Sequence, residues 1–204
     1  ESEGVCAKRL LERAVKLYPR AFDLVLADAL YATAPFIRLV NNLGKQLLCV
    51  LKDNRRCLIE DAAGIFSMQQ PLSCREGKTA YSFWDDENFS LQECPPVRVV
   101  KSVETSVKKN RTTGATETKT STWMWLSTIT KRRLPTRNFV SLAHKRWHIE
   151  NNGFKELVHL WHGDHVYHHH PTAIIAFWLT IMLAYNIVHA FVRLNIKPAL
   201  RARH

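Results

Sequence analysis

Two acidic residues stand where carboxylates commonly do chemistry. Asp28 ends an apolar run, Leu24-Val25-Leu26-Ala27, that reads as a short strand of a parallel sheet, buried on both faces. Open α/β sheets gather ligands and catalytic groups at the carboxyl ends of such strands, although an acid there also caps a following helix. Glu150 falls in a longer pattern. Val140, Ala143, Trp147, Phe154, Leu157 and Trp161 recur at helical spacing across Asn138 to Trp161, and position 150 completes the stripe. A carboxylate on an inward-facing stripe costs on the order of several kcal/mol unless something compensates it. Two partners are open. Arg146, four residues earlier on nearly the same face, can pair with it in a buried ion pair that does no chemistry. Alternatively, a hard divalent cation such as Mg²⁺ is held by Glu150 and Asp28 together.

The elements that must position these acids are legible from periodicity. Ala7, Leu10, Leu11, Ala14 and Leu17 predict an opening helix that Tyr18-Pro19 closes, and Phe22 to Ala27 follows as the strand ending at Asp28. Thr33 to Leu43 is helical again, with Phe36, Leu39, Val40 and Leu43 on one face and Gly44 as the stop; Gln46 to Leu51 is a second strand. Helix, strand, helix, strand predicts α/β architecture with a parallel sheet. From Lys52 to about Ser121 helical periodicity is mostly lost. Val97 to Val107 and Thr116 to Ile129 read there as strands flanking a turn at Asn110 to Gly114. That hairpin carries Lys108, Lys109, Arg111 and Lys119, either to meet phosphates or as an ordinary solvated face. After Pro135 the helical signal runs through Trp161 to a stop at Gly163, and Pro171 opens a last helix reaching about Asn195. The expected division is therefore 1–52, 53–121 and 122–204.

With 46% hydrophobic and 23% charged residues over 204 positions, the chain can fold around a core. Twenty-nine Lys and Arg against 18 Asp and Glu leave a formal charge of +11, which favours a polyanionic partner, nucleic acid or an anionic membrane surface. Ala173 to Phe191 is long and apolar enough to resemble a membrane span. Thr180, Asn186 and His189 interrupt it and no second span exists, so a helix packed into a soluble core is expected. The five cysteines form no C-x-x-C pair, which fits a reducing cytoplasm. His162, His165 and His168 recur every three residues; they suggest zinc or, with no cysteine among them, a polar loop between helices. The chain opens at Glu1 with neither methionine nor leader, as a piece of something longer would.

The residues around the two acids resemble a known family, the bacterial cut-and-paste insertion-sequence transposases of the DDE type. Ala27-Asp28-Ala29-Leu30-Tyr31 is similar to the segment around the family's second aspartate, and Arg146-Trp147-His148-Ile149-Glu150 with Asn152, Phe154 and Lys155 resembles the segment around its catalytic glutamate. The separation (150 − 28 = 122 residues) resembles that of members with a β-rich insertion between those carboxylates. Trp84-Asp85-Asp86-Glu87 and the stretch from His162 to Asn186 extend the likeness over nearly the whole chain. Two positions depart from the fuller Tyr-x2-Arg-x3-Glu-x6-Lys signature. Ala143 stands where it has tyrosine, and Lys155 comes two residues before its lysine, well away from Glu150's face on an ideal helix.

The resemblance implies a ribonuclease-H-like core with a β-rich insertion and C-terminal helices, the N-terminal part of that core and the first aspartate lying upstream. Asp28 and Glu150 become catalytic metal ligands for two Mg²⁺ or Mn²⁺ ions, which serve DNA nicking and attack by the freed 3′-hydroxyl. Arg146, Lys145 and Lys155 become candidates for the DNA backbone, with Lys131, Arg132 and Arg133 adding attraction and Tyr31 nearby. The implied partners are double-stranded DNA, at element ends and target, and a second copy in a homodimer, in a prokaryotic cytoplasm and away from any membrane. A catalytically inactive DNA-binding remnant of such an element is the competing expectation.

Overall fold

The computed structural model describes residues 2–52, 56–91, 94–109 and 116–196. The chain divides into two units, Glu1–Arg146 and Trp147–His204. In the first, α1 (Glu3–Leu17) leads to β1 (Leu24–Ala27), a 3₁₀ turn (Ala29–Tyr31), α2 (Ala34–Asn42) and β2 (Gln46–Val50). α2 ends as predicted, with Gly44 at φ +69°, a left-handed conformation that glycine adopts without a Cβ clash. β1 and β2 pair in parallel, Leu24 opposite Gln46 and Ala27 opposite Cys49.

Beyond β2 come α3 (Arg56–Ser67), β3 (Leu72–Glu76), β4 (Thr79–Phe89), β5 (Val97–Lys109), β6 (Thr116–Ser127) and α4 (Thr136–His144). The six strands form one sheet in the order β1-β2-β6-β5-β4-β3, antiparallel from β2 onward. The expected boundary between 121 and 122 therefore falls inside β6, which hydrogen-bonds directly to β2 and makes the β-rich segment a continuation of the core sheet. The turn expected at Asn110 to Gly114, and Arg111 within it, lies outside the described residues, as do the side chains of Lys108 and Lys109.

Alternation along β2 explains the layering. Leu47 and Cys49 pack with Leu11, Phe36, Ile37, Val40, Leu58 and Phe66 from α1, α2 and α3. Leu48 and Val50 pack with Phe83, Val100, Trp125, Phe139 and Val140 on the α4 side. Helices thus cover both faces of a mixed sheet, the α/β class expected, and the parallel β1–β2 pair fits a ribonuclease-H-like core. β1 is less buried than predicted. It sits at the sheet edge, and of its residues Ala27 alone is buried. The segment after Lys52, expected to be β-rich, opens with a helix: Leu58, Ala62 and Phe66, at four-residue spacing, bury one face of α3.

The single helix expected over Asn138 to Trp161 is broken. After α4, Lys145 caps the helix, and α5 (Arg146–His148), a π-helical turn (Ile149–Phe154) and α6 (Lys155–His159) follow. The inward stripe breaks with it. Val140, Ala143 and Leu157 are buried, but Trp147 and Phe154 are 42% and 55% exposed. In the second unit α7 (Pro171–Asn195) spans the residues predicted. One face of it meets the preceding segment through Trp161 against Tyr185 (centroids 6.0 Å), Tyr167 against Phe177 (4.6 Å) and His189 on Glu156 (2.9 Å). Leu179, Leu183, Ile187 and Leu194 on its other face are exposed, so the expectation of a helix packed into a core is not met there. α7 is long and apolar enough to cross a membrane, which is weak evidence by itself.

Candidate active site

Asp28 leaves β1 in extended conformation, and its side chain caps the 3₁₀ turn: the Ala29 N–H donates to Oδ1 at 2.7 Å. Lys52, just past the end of β2, brings Nζ to 3.6 Å from the same oxygen. Both contacts fall on Oδ1. The carboxylate side chain is 45% exposed. The Ala29 N–H is the main influence holding its pKa below the ordinary carboxylate range; burial opposes this, and the charges of Lys52 and Arg146 reinforce it. Parallel strands explain the cluster. β1 and β2 end on the same side, so residues that follow each strand meet there.

Glu150 lies in the other unit, within the π-helical turn, and is half-buried. The argument from desolvation is corrected here, because exposed Trp147 and Phe154 are the stripe members flanking it. The turn changes the standing of Lys155. Its N–H reaches back five residues to the Glu150 carbonyl, which sets the two residues one turn apart instead of about 140° around an α-helix. Single π turns recur at functional sites.

The remaining candidates separate by what they touch. Tyr31 donates its hydroxyl to Glu3 Oε1 at 2.8 Å and packs on Phe36 (centroids 4.9 Å), tying the turn after Asp28 to α1. Lys131 approaches Asp85 at 3.9 Å, and its N–H donates to the Glu87 carboxylate. Arg132, Arg133, Lys145 and Lys155 are exposed, whereas Arg146 is half-buried and close enough to Asp28 for its charge to act there. Arg137 is paired with Glu76. Among the described residues, no three His, Cys, Asp or Glu side chains gather as a metal site. His165 packs on Tyr167 (4.2 Å) and His170 Nδ1 accepts the Thr172 N–H at the start of α7, as a polar loop would have them.

Sequence reasoning missed Lys52, although the end-of-strand rule that singled out Asp28 applies equally to the residue closing the next strand. It also missed Arg98. That guanidinium is buried on β5 and donates to both oxygens of Asp85, through Nε (2.9 Å) and Nη2 (2.7 Å). The Thr136 hydroxyl donates to Asp85 as well (2.5 Å), joining the start of α4 to the sheet.

A hard divalent cation suits Asp28: it offers an oxygen donor, partly exposed, with one oxygen already fixed. None of the curated proteins matches the chain. Residues 2–187 match the family model described as Transposase DDE domain, which spans Asp28, Glu150 and every basic candidate named above. The chain therefore belongs to the transposase DDE domain family.

Proposed function

We propose that this chain supplies Asp28 and Glu150 to a metal-dependent DNA transposase that cuts insertion-sequence ends and joins them to target DNA. The observation that carries the reading is Asp28 itself, a partly exposed strand-end carboxylate with Oδ1 fixed by Ala29, in a chain matching the transposase DDE domain over 2–187. When bound, a pair of Mg²⁺ or Mn²⁺ ions neutralises charge on the attacking and leaving oxygens of an in-line displacement at phosphorus. Asp28 holds its share of that charge without rotating, because the Ala29 N–H pins it. Arg146 and the exposed Lys145 and Lys155 bind the backbone of the DNA strand, and the Lys131 to Arg133 turn adds attraction.

The third carboxylate of the family, whose counterpart the resemblance puts upstream of α1, is proposed to come from outside these 204 residues. Two copies acting on paired element ends in a bacterial cytoplasm complete the reading. A binding-only remnant is the competing reading. Cleavage separates the two. In a protein extended to hold all three carboxylates, Glu150→Gln is expected to lower cleavage of its element ends by at least about a hundredfold. Unchanged cleavage, measured with Mg²⁺ on labelled duplex ends, refutes the role given to Glu150.

A further inference from the structure

The geometry points to Lys52 as a substrate-phosphate ligand that Asp28 holds until a divalent cation displaces it. This rests on the reading of Asp28 as a metal ligand. Lys52 Nζ stands 3.6 Å from Asp28 Oδ1, beyond hydrogen-bond length, on an oxygen already taken by the Ala29 N–H at 2.7 Å. The contact is therefore one of charge. The Lys52 side chain is 62% exposed, and a lysine ammonium turns freely on its four-carbon stem. Other basic residues of this unit are held more firmly. Lys45, at the opposite end of β2, is buried with Nζ fixed by the Pro19 and Phe22 carbonyls, both at 2.6 Å, and Arg146 is half-buried. Lys52 can thus leave Asp28 without disturbing packing.

A doubly charged cation on the same carboxylate repels the ammonium and at the same time draws in a phosphate. The phosphate is then the anion nearest to the displaced Lys52. Two effects of opposite sign follow from a single substitution. Without DNA, Lys52 competes with the cation, so removing its charge strengthens metal binding. With metal and DNA together, removing it costs one phosphate contact.

The test uses the protein extended to hold all three carboxylates, Mn²⁺, and a duplex of arbitrary sequence. By calorimetry, Lys52→Gln is expected to bind Mn²⁺ about fivefold more tightly than wild type, the scale of one near-surface charge pair. By fluorescence anisotropy in Mn²⁺, the same variant is expected to bind duplex more weakly, with the slope of log affinity against log salt smaller by about one. In EDTA that slope is expected to match wild type. Lys52→Arg, which keeps the charge, is expected to restore both. If Asp28→Asn abolishes Mn²⁺ binding while Lys52→Gln changes neither metal affinity nor slope, the Lys52 inference falls and the site stands. If Asp28→Asn binds Mn²⁺ as wild type does, or the wild-type chain binds none, both fall.

Discussion

Removing the Asp85 carboxylate is the perturbation whose cost the structure defines most closely. Arg98 and Asp85 side chains are 2% and 5% exposed, and the guanidinium lies 4.7 Å over the Phe139 ring. Its other donors reach the Leu134 carbonyl at 2.8 Å and the Ile129 carbonyl at 3.3 Å. Asp85→Ala leaves this cation buried with two neutral acceptors and strips the Thr136 hydroxyl of its partner. Breaking such a pair from one side costs about 3–5 kcal/mol, because the remaining charge keeps its desolvation penalty without compensation. For a unit of this size that is roughly a 10 °C drop in Tm, and a large share of a total stability of about 5–15 kcal/mol. The assay is urea unfolding followed by the circular dichroism of the sheet, all of which lies in the first unit. Arg98→Met in the same background removes the orphaned charge and is expected to recover at least half of the loss. A loss below about 1 kcal/mol for Asp85→Ala, or a double variant less stable than the single one, refutes the reasoning.

Lys45→Met is expected to cost about 2–3 kcal/mol, since the Pro19 and Phe22 carbonyls lose a charged donor; faster hydrogen exchange at the Gln46 amide, bonded to the Asp23 carbonyl, should accompany it. An unprotected Gln46 amide in the wild-type chain would contradict this. Asp28 titrates below its ordinary value of 3.8, so the stability its charge provides is complete above that pH and lost as pH falls through the depressed value. The wild-type advantage over Asp28→Asn, which keeps a capping side chain, should therefore shrink below pH 3.8 in urea titrations. A growing advantage there would reverse the sign assigned.

Local pattern was enough for the elements that carry their own instructions. The apolar runs before Asp28 and before Lys52 become β1 and β2, Gly44 ends α2, and Pro171 to Asn195 is α7 as its proline and apolar length imply. The place of Asp28 was legible because ending a strand is a property written in neighbouring residues. Contacts between distant residues were not legible. Nothing near Arg98 in the chain announces that Asp85, thirteen residues away, will neutralise it, or that Lys52 will come to rest beside Asp28. Nor does helical spacing reveal that the segment carrying Glu150 is wound as a π turn with Trp147 and Phe154 exposed. The physical reason is the same throughout. Periodicity and turn residues act over a few positions, whereas burial and charge compensation depend on which surfaces the folded sheet brings together, and that is decided only when β1, β2 and β6 pair.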